Sequence, residues 1–241
     1  MKNKLLAALL AATMSLSMVA CGGSESTESE SSTTENTGVT EESVKPEKQD
    51  IVLVESGYSI VNDETGYVFA YYAVSLNNPN ENYALNAPII TVTAKSEDGT
   101  ILGTTDNYLS YIAPLDTITF ASLLDCNGSV PASIEITTSS GDFISADNDA
   151  IIPTSSFAIS NTNEMIGEYG DVSFTGEIEN TGEKDAGTVS VTVTLKNNGE
   201  IVYGETTYVD SLTSGSKKPF EISCFNLPEY TEYVISAYAW Y

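Results

Sequence analysis

The chain contains neither histidine nor arginine. Its nine basic residues are all lysines, set against 34 acids for a formal net charge of −25 in 241 residues. Without imidazole, the Ser/His/Asp and Cys/His nucleophile systems and His-ligated metals are excluded. Without guanidinium there is no bidentate capture of phosphate. The acid excess works against nucleic acid, whose binding rests on Lys and Arg neutralising phosphates. Cysteine is scarce as well, at positions 21, 126 and 224, and thiols without histidine make no zinc site here. Neither a metal nor a cofactor is expected. Carboxylate pairs alone remain for catalysis, and glycoside hydrolysis runs on two of them. Glu177 and Glu179, however, fall on an outward strand face, so no enzyme is expected.

Long apolar runs are also rare, and the one present is informative. Met1-Lys-Asn-Lys4 is positively charged, and Leu5 to Ala20 follows without a charge. Sixteen such residues fall short of the about 20 that a spanning helix needs, so residues 1–20 read as a secretory signal. Met18-Val19-Ala20-Cys21 resembles the lipobox of bacterial lipoproteins, with Met18 where leucine is usual. The resemblance implies removal of the signal and a diacylglyceryl group on Cys21. Buried acyl chains contribute about 0.8 kcal/mol per methylene, so two or three anchor firmly. Residues 21–50 are dominated by Ser, Thr and Glu, with two lysines against eight acids. Such a stretch cannot offset its ordering entropy and reads as a disordered acidic tether, with ends on the order of 30 Å apart.

From residue 51 onward the pattern has period two. Val172, Phe174, Gly176 and Ile178 alternate with Ser173, Thr175, Glu177 and Glu179, as do Val189, Val191, Val193 and Leu195 with serine, threonines and Lys196. Apolar-in, polar-out alternation predicts half-buried strands, and Asn197-Asn198-Gly199 predicts a hairpin turn. The module occurs twice. Gly99, Ile101, Ile112 and Phe120 recur 100 residues later as Gly199, Ile201, Leu212 and Phe220, and Leu76 and Asn78 match Ile178 and Asn180. Two β domains are therefore expected, at 51–150 and 151–241, joined near Asp147-Asn-Asp-Ala150. Their size and turn spacing predict an all-β fold of two tandem immunoglobulin-like antiparallel β-sandwiches. Both are acidic, with thirteen acids against one lysine in the first and thirteen against four in the second.

The second repeat resembles the FxLyD family of bacterial surface domains. The likeness rests on Phe174-Thr-Gly176 with Asn180-Thr-Gly182, on Val191 to Leu195 with Gly199, and on Gly215 to Phe220. Lys196-Asn197 stands where that family tends to have Tyr-Asp. The resemblance implies a surface-displayed β-sandwich and carries over no catalytic residue.

Cys126 and Cys224 lie one in each repeat on inward parity, so buried free thiols are expected. Asp142, Asp147, Asn148 and Asp149 near the joint lack a calcium-loop spacing and read as a solvated acidic loop. Lys95 and Lys196 follow inward residues and are expected to point to solvent beside their turns. The aromatic residues stand apart. Phe69, Tyr71 and Ala73 occupy outward positions where the second repeat has Asp171, Ser173 and Thr175. Such a face is either covered, by residues 51–54 or by the second domain, or offered to a partner. Phe69 and Tyr71 are accordingly the candidate binding residues. Tyr238, Trp240 and Tyr241 form a second group, read as a terminal strand tied into its sheet.

These features predict a non-enzymatic, lipid-anchored protein of the bacterial cell membrane, exposed on its extracytoplasmic face. Display, adhesion or scaffolding contacts are the expected role. A carbohydrate- or solute-binding accessory module with an aromatic platform is the alternative. Its partners would be the membrane, through the lipid on Cys21, and an extracellular protein or glycan. Cys21→Ser is expected to release the protein into the medium or leave an unprocessed precursor, as read by fractionation. A processed form still held in the membrane would refute lipidation at that residue.

Overall fold

The computed structural model describes residues 46–63, 65–168 and 171–240. The expected signal, Cys21 and most of the tether lie outside the described residues. Lys45–Tyr241 forms one compact unit, and period-two alternation decides its architecture. The elements are β1 (Val52–Asn62), β2 (Val68–Asn77), β3 (Tyr83–Asn86), β4 (Ile89–Lys95), β5 (Ile101–Tyr108), β6 (Tyr111–Ile112), β7 (Thr117–Asp125), β8 (Ser133–Ser139) and β9 (Asp142–Ser145). A single 3-10 turn (Thr154–Ser156) leads into β10 (Phe157–Ile166), β11 (Val172–Asn180), β12 (Ala186–Asn197), β13 (Glu200–Leu212), β14 (Lys217–Cys224) and β15 (Glu232–Trp240). The described strand pairings are all antiparallel.

Each repeat contributes two layers of sheet. The first pairs β1-β2-β7 and, in the other layer, β5-β4-β8 with the short β6-β3-β9 sheet. The second pairs β10-β11-β14 and β13-β12-β15. Long strands of the second repeat correspond to split ones in the first: Ala87, at φ 51°, and Pro88 separate β3 from β4, whereas β12 runs uninterrupted. The fold is all-β, built of antiparallel sandwiches as the alternation predicts. Ala70, Tyr72, Val74 and Leu76 of β2 meet Ile90, Val92 and Ala94 of β4 in one core. Phe174 and Ile178 of β11 meet Val189, Val191, Val193 and Leu195 of β12 in the other.

Both repeats are tied at one corner by a fully buried asparagine, at equivalent positions. Asn78 Nδ2 donates to the carbonyl of Tyr83 (2.8 Å) and to those of Ile112 and Ala113, while its Oδ1 accepts from Asn80 N and Nδ2. Asn180 Nδ2 donates to the carbonyls of Lys184 (2.8 Å) and Leu212 (2.9 Å), and its Oδ1 accepts from Gly182 N. The end of one strand is thus bonded to carbonyls at the ends of other strands (Tyr83, Ile112, Leu212) and in adjoining loops (Ala113, Lys184).

Residues 46–50, expected within the disordered tether, instead strap the first repeat. Gln49 N donates to Asn80 Oδ1 and Asn80 Nδ2 donates back to Gln49 O, both at 2.8 Å. Lys48 Nζ sits 5.4 Å and 5.0 Å from the Tyr83 and Phe143 ring centroids. Ile51 then enters the core, its N–H donating to Ser140 Oγ. Composition averaged over the whole stretch hides these few specific partners.

Leaving buried carbonyls unpaired costs about 1–3 kcal/mol each. Asn180→Ala is therefore expected to lower unfolding free energy by at least about 2 kcal/mol, read by urea titration. Asn78→Ala should cost more, because it strands more groups. A change in either variant within experimental error would show that water satisfies these corners equally well.

Candidate functional site

The outward face of β1-β2-β7 is covered by the outward face of β13-β12-β15. Small residues bring the sheets together. A Cβ on Gly57 would lie 1.9 Å from the Ile201 carbonyl oxygen, and one on Gly204 would lie 2.6 and 2.7 Å from the Cβ atoms of Ala73 and Ala121. Ala73, Ala121 and Ile201 form a buried cluster at that point. Around it the contact is polar: Thr206 Oγ1 donates to the Ala121 carbonyl, and Thr154 N donates to Asp116 Oδ2 at 2.7 Å.

Larger side chains then cross in both directions. Tyr71 leaves the first repeat to stack on Tyr203, with centroids 4.9 Å apart, and packs against the second core. Tyr238 makes the opposite crossing and is buried in the first core. Trp240 stacks on Phe120 at 6.4 Å and meets Tyr208 edge-on at 5.7 Å. Tyr238 and Trp240 do pair within their own sheet, but their rings serve the junction as well; Tyr241 lies outside the described residues. Lys196, expected to face solvent, instead donates to both carboxylate oxygens of Glu55 at 2.9 and 2.8 Å. Lys196 keeps its outward parity, and the apposed sheet puts Glu55 where solvent is expected. Lys95 pairs with Glu135 at 2.6 Å across its own sheet.

The junction contains an unusual carboxylate. Glu205 lies on the inward parity of β13, accepting from Tyr203 Oη at 3.3 Å and from Thr206 N at 3.2 Å. Burial pushes its pKa above the ordinary glutamate range. Burial, with Glu205 adding repulsion, pushes the Cys224 thiol up to about 12. Cys126 is also raised by burial, and both cysteines are free and buried. Neither thiol is a nucleophile at neutral pH.

The structure separates the two candidate binding residues. Tyr71 is engaged between the repeats. Phe69 is half-buried at the rim, pairing in register with Val61 and Asp125. Tyr67, 57% exposed, runs nearly parallel to Phe69, with an interplanar angle of 8° and centroids 6.0 Å apart. A cleft of about 320 Å³ opens between residues 59–62 of β1, where Val61 is the register partner of Phe69, and residues 226–228 of the loop after β14; neither ring lines it. Sequence reasoning stopped at Phe69. Extending its period-two row by one step would have reached Tyr67, but no local signal brings the 226–228 loop to β1. At the other suspected cluster, Asn148 Oδ1 accepts from Ala150 N within a turn. No family model matches the chain, and none of the curated proteins matches it.

The raised pKa of Glu205 means that the folded state holds its proton more tightly than the unfolded chain does. Its contribution favours the fold below the unfolded carboxylate range and is lost as pH rises through the raised folded value. Glu205→Gln is expected to melt above the parent at pH 7, with the difference disappearing at pH 4. An equal difference at both values would place the effect in packing rather than ionisation.

Proposed function

We propose that this chain is a non-enzymatic, lipid-anchored bacterial surface protein, and that its two β-sandwiches act as one arm presenting the Tyr67–Phe69 rim to an extracellular protein or glycan. The lipobox-like Met18 to Cys21 supports the anchor and the extracytoplasmic location. The FxLyD-like stretches of the second repeat support a surface-display role. The observation that carries the contact reading is the pair of parallel rings at Tyr67 and Phe69. At the position equivalent to Phe69 the second repeat has Asp171, followed outward by Ser173 and Thr175. Reciprocal crossing of Tyr71, Tyr238 and Trp240 restrains motion between repeats, which reduces the ordering cost of a contact at their rim. The same parallel rings favour a second reading, a carbohydrate-binding accessory module.

Beads carrying the purified full chain are expected to be retained on immobilised cell-envelope and extracellular-matrix extracts. Tyr67→Ser with Phe69→Ser should lower retention at least tenfold while the melting temperature falls by only a few degrees. Undiminished retention by the double variant would overturn the assignment of this rim as the contact surface.

A further inference from the structure

We propose that the cleft between residues 59–62 and 226–228 is a subsite for one or two neutral sugar rings, stacked toward Phe69 and Tyr67. The inference rests on the surface-contact reading above and names the chemistry of its ligand.

Charge is the first argument. The chain carries 34 acids and both repeats are acidic, yet the cleft is lined by serine, isoleucine, valine, two asparagines, leucine and proline. No lining side chain can neutralise a phosphate or carboxylate, and none can pair with a cation. Desolvating an ion without a partner is costly, so the lining selects an uncharged ligand.

Unused hydrogen-bonding capacity is the second. Ser59 Oγ is buried and has no hydrogen-bond partner among the described residues. Buried polar groups are nearly always paired, and Ser59 lines the cleft, where rotation about χ1 would bring this shielded hydroxyl to a ligand. The Asn62 and Asn226 amides each bring two donors and one acceptor oxygen. Asn226 holds its place at φ 53°, a conformation that asparagine tolerates better than most residues. A ligand rimmed by hydroxyls, which both donate and accept, satisfies this mixture.

Shape is the third. Ser59 and Val61 pair in register with Tyr71 and Phe69, so the cleft opens beside the aromatic row. Apolar walls with a few convergent polar groups are the general character of small-ligand sites, and about 320 Å³ lies near the lower end of their volumes. A pyranose combines a C–H face, suited to an aromatic ring, with a hydroxyl edge suited to amides. A purely apolar peptide side chain would leave Ser59 and both asparagines unused.

Hydrogen exchange of the unmodified full chain tests this directly, in a detergent without a sugar headgroup. Millimolar maltotetraose, cellotetraose and chitotetraose would be the probes, with a galacturonate tetramer as the acidic control. At least one neutral probe is expected to protect residues 59–62 and 226–228, and the acidic one to leave them unchanged. Tyr67→Ala and Asn62→Ala, both at the surface, should each weaken that neutral probe several-fold by calorimetry. The subsite is overturned if no neutral probe protects these segments, or if the acidic probe protects them equally. Were the probes to fail while bead retention still depended on Tyr67 and Phe69, the ligand class would fall and the contact surface would stand. Protection by a neutral probe with bead retention indifferent to those residues would leave the subsite standing and remove the contact reading.

Discussion

Two sheet faces that would be the solvent sides of separate sandwiches meet here through residues with almost no side chain. Gly57, Ala73, Ala121 and Gly204 set the approach, and Ile201 fills what remains. Everything else at the junction depends on that closeness. Tyr71 reaches Tyr203 and the second core only because the backbones are near, and Tyr238 and Trp240 reach the first core for the same reason. The Lys196–Glu55 pair and the depressed acidity of Glu205 follow as edge effects of one contact.

The joining is asymmetric. The first repeat offers its β1-β2-β7 face, whereas the second offers the opposite kind of face, β13-β12-β15. Such a head-to-tail arrangement has no inherent end and extends if the exposed faces also match. They do not match. Where the first repeat has Ser75 and Asn77 on the contacting face, the second has Glu177 and Glu179, with Lys217 among them. Charges at the centre of an exposed sheet face oppose burial against another sheet. At the other end, Ile101 is 60% exposed although its counterpart Ile201 is 6% exposed within the junction. The duplicated pattern has kept the residue and lost its neighbour.

Much of the architecture was legible because strand parity is a local property. The β2, β11 and β12 alternations, the turn at Asn198-Gly199 and the repeat equivalence of Asn78 and Asn180 all appear in the strands and corners described. The packing of the repeats was not legible in detail, since parity identifies which face is outward without identifying what covers it. The apolar outward set at Phe69, Tyr71 and Ala73 did raise the question, and the second repeat covers its inner part. Lys196 misled because its alternation is correct while its environment is supplied by Glu55, 141 positions away. The cleft was invisible for the same reason: residues 59–62 and 226–228 are joined only by the folded chain. Residues 46–50 escaped notice because their partners, Asn80, Tyr83 and Ser140, belong to another segment.

The strap also determines how the molecule carries load. Tension applied ahead of residue 46 enters at Gln49 and Ile51 and passes directly into β1. The Tyr67–Phe69 rim lies at the far end of that strand, just beyond the turn that closes β1 onto β2. A pull between the N-terminal side and that rim therefore runs along a single strand, with the β1–β2 ladder loaded lengthwise so that its hydrogen bonds share the strain. The second hydrophobic core and the aromatic crossings stand outside the line of force. A contact made at the rim would thus be held under tension by about twenty residues of chain, while the rest of the protein kept its shape.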